Sequence, residues 1–327
     1  MNTSHIQVEK TFAASIKAAL AQSLNDDENL ICFGLGMTDP KGIFGTTLDL
    51  HKSFGGERVF DTPTSENALT GIGVGAAIMG HKVIMTHQRV DFFLLAMDQL
   101  VNSAAKAHYV YGGAIKCPIT IRLIIGRGWG QGPTHSQSLQ SWFAHIPGLK
   151  VLMPTFPIDA YNLLIESIND PNPIILLEHR WLHNTKNPGI INKEEIIRIG
   201  QSRRSKENKH FTIVSSSYLT LEAMKCAKYL DEKFGINIEV IDLISISPID
   251  YNSIEQSILK TKNLCVVDGG FYTCSLAADI ISYICEKHHG VLDNAPVRLT
   301  MPDCPEPTSF GLTKGFYIRA GNIAKVI

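Results

Sequence analysis

The stretch Arg58-Val-Phe-Asp-Thr-Pro-Thr-Ser-Glu66-Asn-Ala-Leu-Thr-Gly-Ile-Gly-Val-Gly-Ala-Ala-Ile-Met-Gly80 decides the fold. Its first three residues read as a short strand. Asp61 to Glu66 carries helix-start chemistry, and a helix is predicted over residues 68–80. That helix holds four glycines and three alanines, a composition that lowers helix propensity and implies close approach of another helix or a ligand. Moving outward, strands and helices alternate. Towards the N-terminus, residues 11–23 place Phe12, Ile16, Ala19 and Leu20 at helical spacing, and 30–34 reads as a strand. Towards the C-terminus come strand 82–85, one long helix over 90–109, strand 118–125, a glycine-rich loop over 126–133, helix 136–146, strand 150–154, helix 157–168 and strand 173–178. This order predicts an α/β unit with a mostly parallel sheet flanked by helices. The polar, Pro- and Gly-containing stretch 184–208 interrupts the pattern, which then restarts as a smaller α/β unit over 211–301.

The chain has 327 residues, 44% hydrophobic and 19% charged, which suffices for two cored domains. A net charge of −1 offers no nucleic-acid surface. The basic cluster Arg203, Arg204, Lys206 and Lys209 reads as a solvated linker. Seven cysteines with no Cys-x-x-Cys read as buried thiols of a reducing compartment. No apolar run reaches the ~18 residues of a membrane helix, and residues 1–22 lack a signal-peptide core. A cytoplasmic protein without membrane or nucleic-acid partners is expected.

Several constellations bear on chemistry. Glu66 opens a helix just past a strand end, where ligands sit in open α/β sheets; the helix dipole alone also favours an acid there. Gly71 to Ala76 imitates a dinucleotide fingerprint, yet helix-start residues intervene between Phe60 and Gly71, so helix packing is the preferred account. Gly126 to Ser136 alternates glycines and ends at His135. It is neither a phosphate loop nor a nucleophile elbow. It reads either as a flexible loop delivering an imidazole to a site or as a plain turn. His179 and His183 flank a strand end without an apparent third metal ligand.

Taken together, Arg58-Val-Phe-Asp-Thr-Pro-Thr-Ser-Glu66, Gly71 to Gly80, Asp98-Gln99, Asn102-Ser-Ala-Ala-Lys106, Gly128-Trp-Gly-Gln-Gly132, His135-Ser-Gln-Ser138, His145-Ile-Pro-Gly-Leu-Lys-Val151, Asp170-Pro-Asn-Pro173 and Val240-Ile-Asp-Leu243 resemble the β subunits of the decarboxylating component of 2-oxoacid dehydrogenases, within the transketolase-like superfamily. The resemblance implies a pyrimidine-binding domain (residues 1–190), a linker (191–208) and a transketolase C-terminal-like domain (209–327). It implies thiamine diphosphate as cofactor, with Glu66 at the aminopyrimidine nitrogen and Val90, Phe92 and His87 beside the ring. His135 is implied to move protons at the substrate, and Ser167, Asp170 and Asn172 fall where some relatives bind potassium. The superfamily holds diphosphate and Mg2+ with a Gly-Asp-Gly and a later Asn; here only Asp268-Gly269-Gly270 occurs. An α-type partner, in an α2β2 assembly, is therefore expected to supply that half.

The chain also departs from the family. Leu35 and Gly36 replace acids after the first strand, and Thr86-His87-Gln88-Arg89-Val90 replaces a segment with a glutamate and aromatics. His87 and Arg89, with His135, are therefore expected to contact a small-molecule substrate. Two readings follow: a 2-oxoacid decarboxylase passing an acyl group to a lipoyl acyltransferase, or a two-subunit transketolase or acyloin-forming enzyme. A non-catalytic scaffold is a third reading, opposed by intact Glu66 and His135.

Overall fold

A computed structural model describes residues 10–126, 131–188, 195–205 and 210–327. The first half contains α1 (Phe12–Asp26), β1 (Leu30–Phe33), α2 (Leu50–Phe54), β2 (Val59–Phe60), α3 (Glu66–Ile78), β3 (Lys82–His87), α4 (Val90–Phe93), α5 (Ala105–Val110), β4 (Ile119–Ile125), α6 (Gln140–Ala144), β5 (Lys150–Leu152), α7 (Pro157–Ile168) and β6 (Ile174–His179). The second contains β7 (Arg203–Arg204), β8 (Phe211–Ser215), α8 (Tyr218–Phe234), β9 (Ile238–Asp242), β10 (Ser245–Ser247), α9 (Tyr251–Thr261), β11 (Leu264–Phe271), α10 (Leu276–Lys287), β12 (Val297–Met301), α11 (Phe310–Phe316) and α12 (Ala320–Ala324).

The strands form two sheets, ordered β10-β5-β6-β4-β3-β1-β2 and β12-β11-β8-β9-β7. The first is parallel from β5 to β2. Its central strand β4 is buried at every residue, as expected of a sheet covered on both faces. Parallel pairing puts the C-terminal ends of β1, β2, β3, β4 and β6 on one edge, and the loops leaving that edge converge. Packing explains Gly73 of α3 and, through Gln99, Gly71, whereas a Cβ at Gly75 would meet nothing within 4 Å. A Cβ at Gly73 would lie 3.1 Å from Phe33 and 3.2 Å from Ile119, so the helix axis sits close to the sheet.

Two sequence expectations change. The single helix predicted over 90–109 is a series of shorter turns: α4, a 3₁₀ turn Leu94–Ala96, a π-helical stretch Gln99–Ala104 and then α5. Val90, Phe93 and Ala96 are all fully buried. Spacing of three aligns on one face in 3₁₀ rather than α geometry, so the tighter turn keeps those side chains on the core. The basic cluster is not a solvated linker at its start. Arg203 and Arg204 form β7, antiparallel to β9, with Arg203 paired to Asp159 at 2.7 Å and Arg204 to Glu239. Buried acids on α7 and β9 draw the guanidinium groups in. Lys206 and Lys209 lie outside the described residues, as do Arg127 to Gly130 of the glycine loop. Of the cysteines, Cys32, Cys117, Cys226 and Cys265 are buried, whereas Cys274, Cys285 and Cys304 are exposed.

The two halves share structure. Strand β10, from the second half, pairs antiparallel with β5 of the first sheet. One apolar cluster includes Phe143 and Val151 together with Val214, Ile241 and Ile254. No helix of the described residues is long and apolar enough to cross a membrane.

Candidate active site

Helix α3 begins after the five residues that follow β2, and Glu66 occupies its first turn, where the helix dipole favours an acid. It lines a cleft with Leu35, Pro63, Thr64, Leu69, His87, Gln88 and Phe92. The Gln88 side chain donates to Leu35 O at 3.1 Å, closing the β1 loop over one side. Behind it, Asp61 accepts from Gly36 N at 2.9 Å and Thr62 N at 2.8 Å. The cleft thus has one half-buried acid, apolar walls and an aromatic ring.

Phe92 connects this cleft to the glycine loop. Its ring meets the His135 imidazole edge-on, with centroids 5.3 Å apart at 86°. His135 Nδ1 lies 2.9 Å from Thr134 Oγ1, a contact that orients the imidazole. The tertiary fold therefore brings Glu66 and His135 to one edge through Phe92, although they are far apart in sequence.

The other expected residues fall differently. His87 does line the cleft, but burial pushes its imidazole down to about 4. Its ring packs against Phe93 with centroids 4.9 Å apart, and Nε2 has no partner among the described residues. Val90 does not line the cleft; it is fully buried in the core, because the first turn of α4 directs it onto the sheet. Arg89 is only 2% exposed. It donates to Gly126 O at 2.9 Å and to the Gln131 side chain, so it is engaged with the loop rather than open to substrate.

The potassium residues do not fit a cation. The Ser167 hydroxyl donates to Leu163 O at 2.6 Å, and Asp170 is ion-paired with Lys150. Asn172 contributes only its backbone N–H, donated to Asp170 at 2.9 Å. An ammonium already neutralises the carboxylate that a cation would need. Asp268 does not form a metal site either: it accepts from Gln140 at 2.6 Å and Gly270 N at 3.0 Å. Among the described residues no three His, Cys, Asp or Glu side chains cluster as metal ligands.

Sequence reasoning gave Asp91, which with Phe92 matches the family, no role, and it missed Arg180. Asp91 accepts from the Gln137 side chain at 2.7 Å. Arg180, just past β6, lies over the Phe44 ring at 4.4 Å, with Arg89 near the same ring at 5.8 Å. Arg180 carries no motif signal, and the contacts of both residues are with neighbours distant in the chain.

Residues 9–185 match the family description "Transketolase, pyrimidine binding domain", and 200–323 match "Transketolase, C-terminal domain". The chain is 35% identical to "Pyruvate dehydrogenase E1 component subunit beta-1, mitochondrial" of Arabidopsis thaliana, over 94% of this chain and 85% of that protein. The chain belongs to this E1 β family. Other E1 β relatives agree. "Pyruvate dehydrogenase E1 component subunit beta" of Gracilaria tenuistipitata var. liui is 34% identical, covering 96% of each chain. The protein of that name from Rhizobium meliloti (strain 1021) is 33% identical, over 97% of this chain and 68% of the relative. The E1 β chain also superposes on a solved structure titled "Split gene transketolase, inactive beta4 tetramer", with a TM-score of 0.79 at 19% identity and 96% coverage of each chain. That likeness carries the fold alone.

Proposed function

We propose that this chain is the β-type subunit of a heteromeric thiamine-diphosphate enzyme that decarboxylates a 2-oxoacid and transfers the acyl group. The observation that carries the reading is the convergence of Glu66, Phe92 and His135 at one sheet edge in a chain of the E1 β family. The transketolase or acyloin-forming alternative is not favoured, because the transketolase likeness is at 19% identity.

The residues present fit one end of the cofactor. The Glu66 cleft offers a carboxyl group, apolar walls and the Phe92 ring to an aminopyrimidine. They do not fit its diphosphate and Mg2+, since Asp268 is already hydrogen-bonded within the fold. An α-type partner holding that end, in an α2β2 assembly, completes the reading; a lipoyl acyltransferase is the proposed acceptor. Thiamine diphosphate, when bound, supplies a thiazolium carbon that adds to a ketone and stores the electron pair released when a C–C bond breaks.

The chain's own residues supply geometry and proton control. Glu66 would hydrogen-bond the pyrimidine nitrogen. Phe92 would pack beside the ring, and it backs His135. His135, oriented by Thr134, would exchange a proton with the substrate. His87, uncharged through burial, forms a neutral wall.

The test is reconstitution with the α-type partner and a screen of 2-oxoacids against ketose phosphates. Decarboxylation of a 2-oxoacid is expected. Glu66→Gln should lower kcat by about 100-fold or more, the range typical of a lost acid–base group. Wild-type turnover in Glu66→Gln, or activity on ketose phosphates alone, would overturn the reading.

A further inference from the structure

We propose that Arg89 is a positioning residue: it ties together the two ends of the glycine loop and thereby sets where His135 stands. One guanidinium nitrogen donates to Gly126 O at 2.9 Å and the other to the Gln131 side chain, so a single side chain spans the stretch between them. Burial at 2% exposure leaves it no face for a substrate. Burial lowers the pKa of its guanidinium and nearby Arg180 adds to this, while the charges of Asp91 and Glu306 oppose it.

Both loop ends are also seated against other parts of the fold. Gly126 has φ +74°, and a Cβ there would lie 2.5 Å from His179 Nε2; Gly132 has φ +78°, and a Cβ there would lie 2.3 Å from Thr308 Oγ1. From Gly132 the chain turns at once to the histidine, with His135 N donating to Gly132 O at 3.2 Å.

The segment that carries Arg89 makes two further contacts to the same loop. Asp91 accepts from Gln137 at 2.7 Å, and Phe92 packs on His135 at 5.3 Å. Positions 89, 91 and 92 thus grip positions 126, 131, 135 and 137. An arginine suits the first grip because its planar fork reaches two separated acceptors at once, whereas an ammonium is a single point.

The inference rests on the proposed function only for what His135 does, and its test reads the imidazole directly. Acylation of each histidine of the isolated chain by diethylpyrocarbonate is followed by mass spectrometry. Arg89→Gln should raise the rate at His135 several-fold and leave exposed His81 unchanged; Arg89→Lys should fall between. Gln131→Ala, which removes one arm only, should give a smaller rise and serves if Arg89→Gln does not fold. An unchanged His135 rate in the folded variants overturns the proposal, whatever the enzyme decarboxylates. In the reconstituted enzyme, Arg89→Gln should lower kcat by up to about 100-fold with KM little changed, as misplacement of a reacting group does. A raised KM at unchanged kcat would instead make Arg89 a substrate-binding residue and overturn the proposal.

Discussion

His87 shows what burial does to one residue. The sequence marks it as a departure from the family, but its polarity alone suggests a charged group at the rim. Desolvation instead holds the imidazole near 4, against an ordinary value of 6.5. His179, behind Gly126, is pushed to about 3 by burial, with neighbouring cations adding to it. Between pH 6.5 and 4 the unfolded chain binds a proton that folded His87 refuses, so stability falls as pH drops through that window. A depression of this size corresponds to roughly 3 kcal/mol lost by the acid end. The urea midpoint of the chain should therefore decline steeply from pH 7 to 4. His87→Gln should flatten that slope, and a slope identical to wild type would show that His87 is not buried uncharged.

At the scale of elements, one ion pair staples the strands whose ends build the site. Arg122 on β4 donates to both oxygens of Glu178 on β6, at 2.6 and 3.0 Å, and to Thr86 on β3 at 3.2 Å. Burial pushes the Glu178 carboxyl up, but the charge and hydrogen bonds of Arg122, with the His183 ring 3.5 Å away, prevail and hold it at about 2. Glu178→Gln leaves a buried guanidinium without its counter-charge, so it should cost about 3–5 kcal/mol in denaturant unfolding. A loss under about 1 kcal/mol would mean the pair does not hold the sheet. The apolar runs of β3, β4 and β6 were legible as strands, and the period of α1 as a helix. Strands β7 and β10 were not, because each has two or three residues and exists only through the partner strand it meets. The 3₁₀ and π turns after α4 were hidden for the same reason: a spacing of three or four is helical in either case, and the sheet decides which turn fits.

At the scale of the whole molecule, the two halves interlock away from the cleft. Gln140 donates to Asp268 at 2.6 Å, and Thr155 donates to Asp242 at 2.8 Å, each bond joining one half to the other. Asp268 sits in the only stretch of sequence resembling a diphosphate motif, and this interdomain bond is its use. Calorimetry should accordingly detect negligible binding of thiamine diphosphate and Mg2+ to the isolated chain, and tight binding once the α-type partner is added. Tight, Mg2+-dependent binding to the chain alone would contradict the proposed division of the site.

The sequence by itself determined the α/β class, its mostly parallel sheets and the candidacy of Glu66 and His135. Periodicity, helix-start chemistry and family motifs are properties of neighbouring residues, and each survives any placement of the rest of the chain. Only the tertiary structure decided that Val90 and Arg89 turn inward, that Phe92 meets His135, and that Asp170 faces the Lys150 ammonium. Each of those outcomes depends on side chains from separate strand ends competing for one small volume, and burial and charge balance settle that competition only once the sheet has assembled.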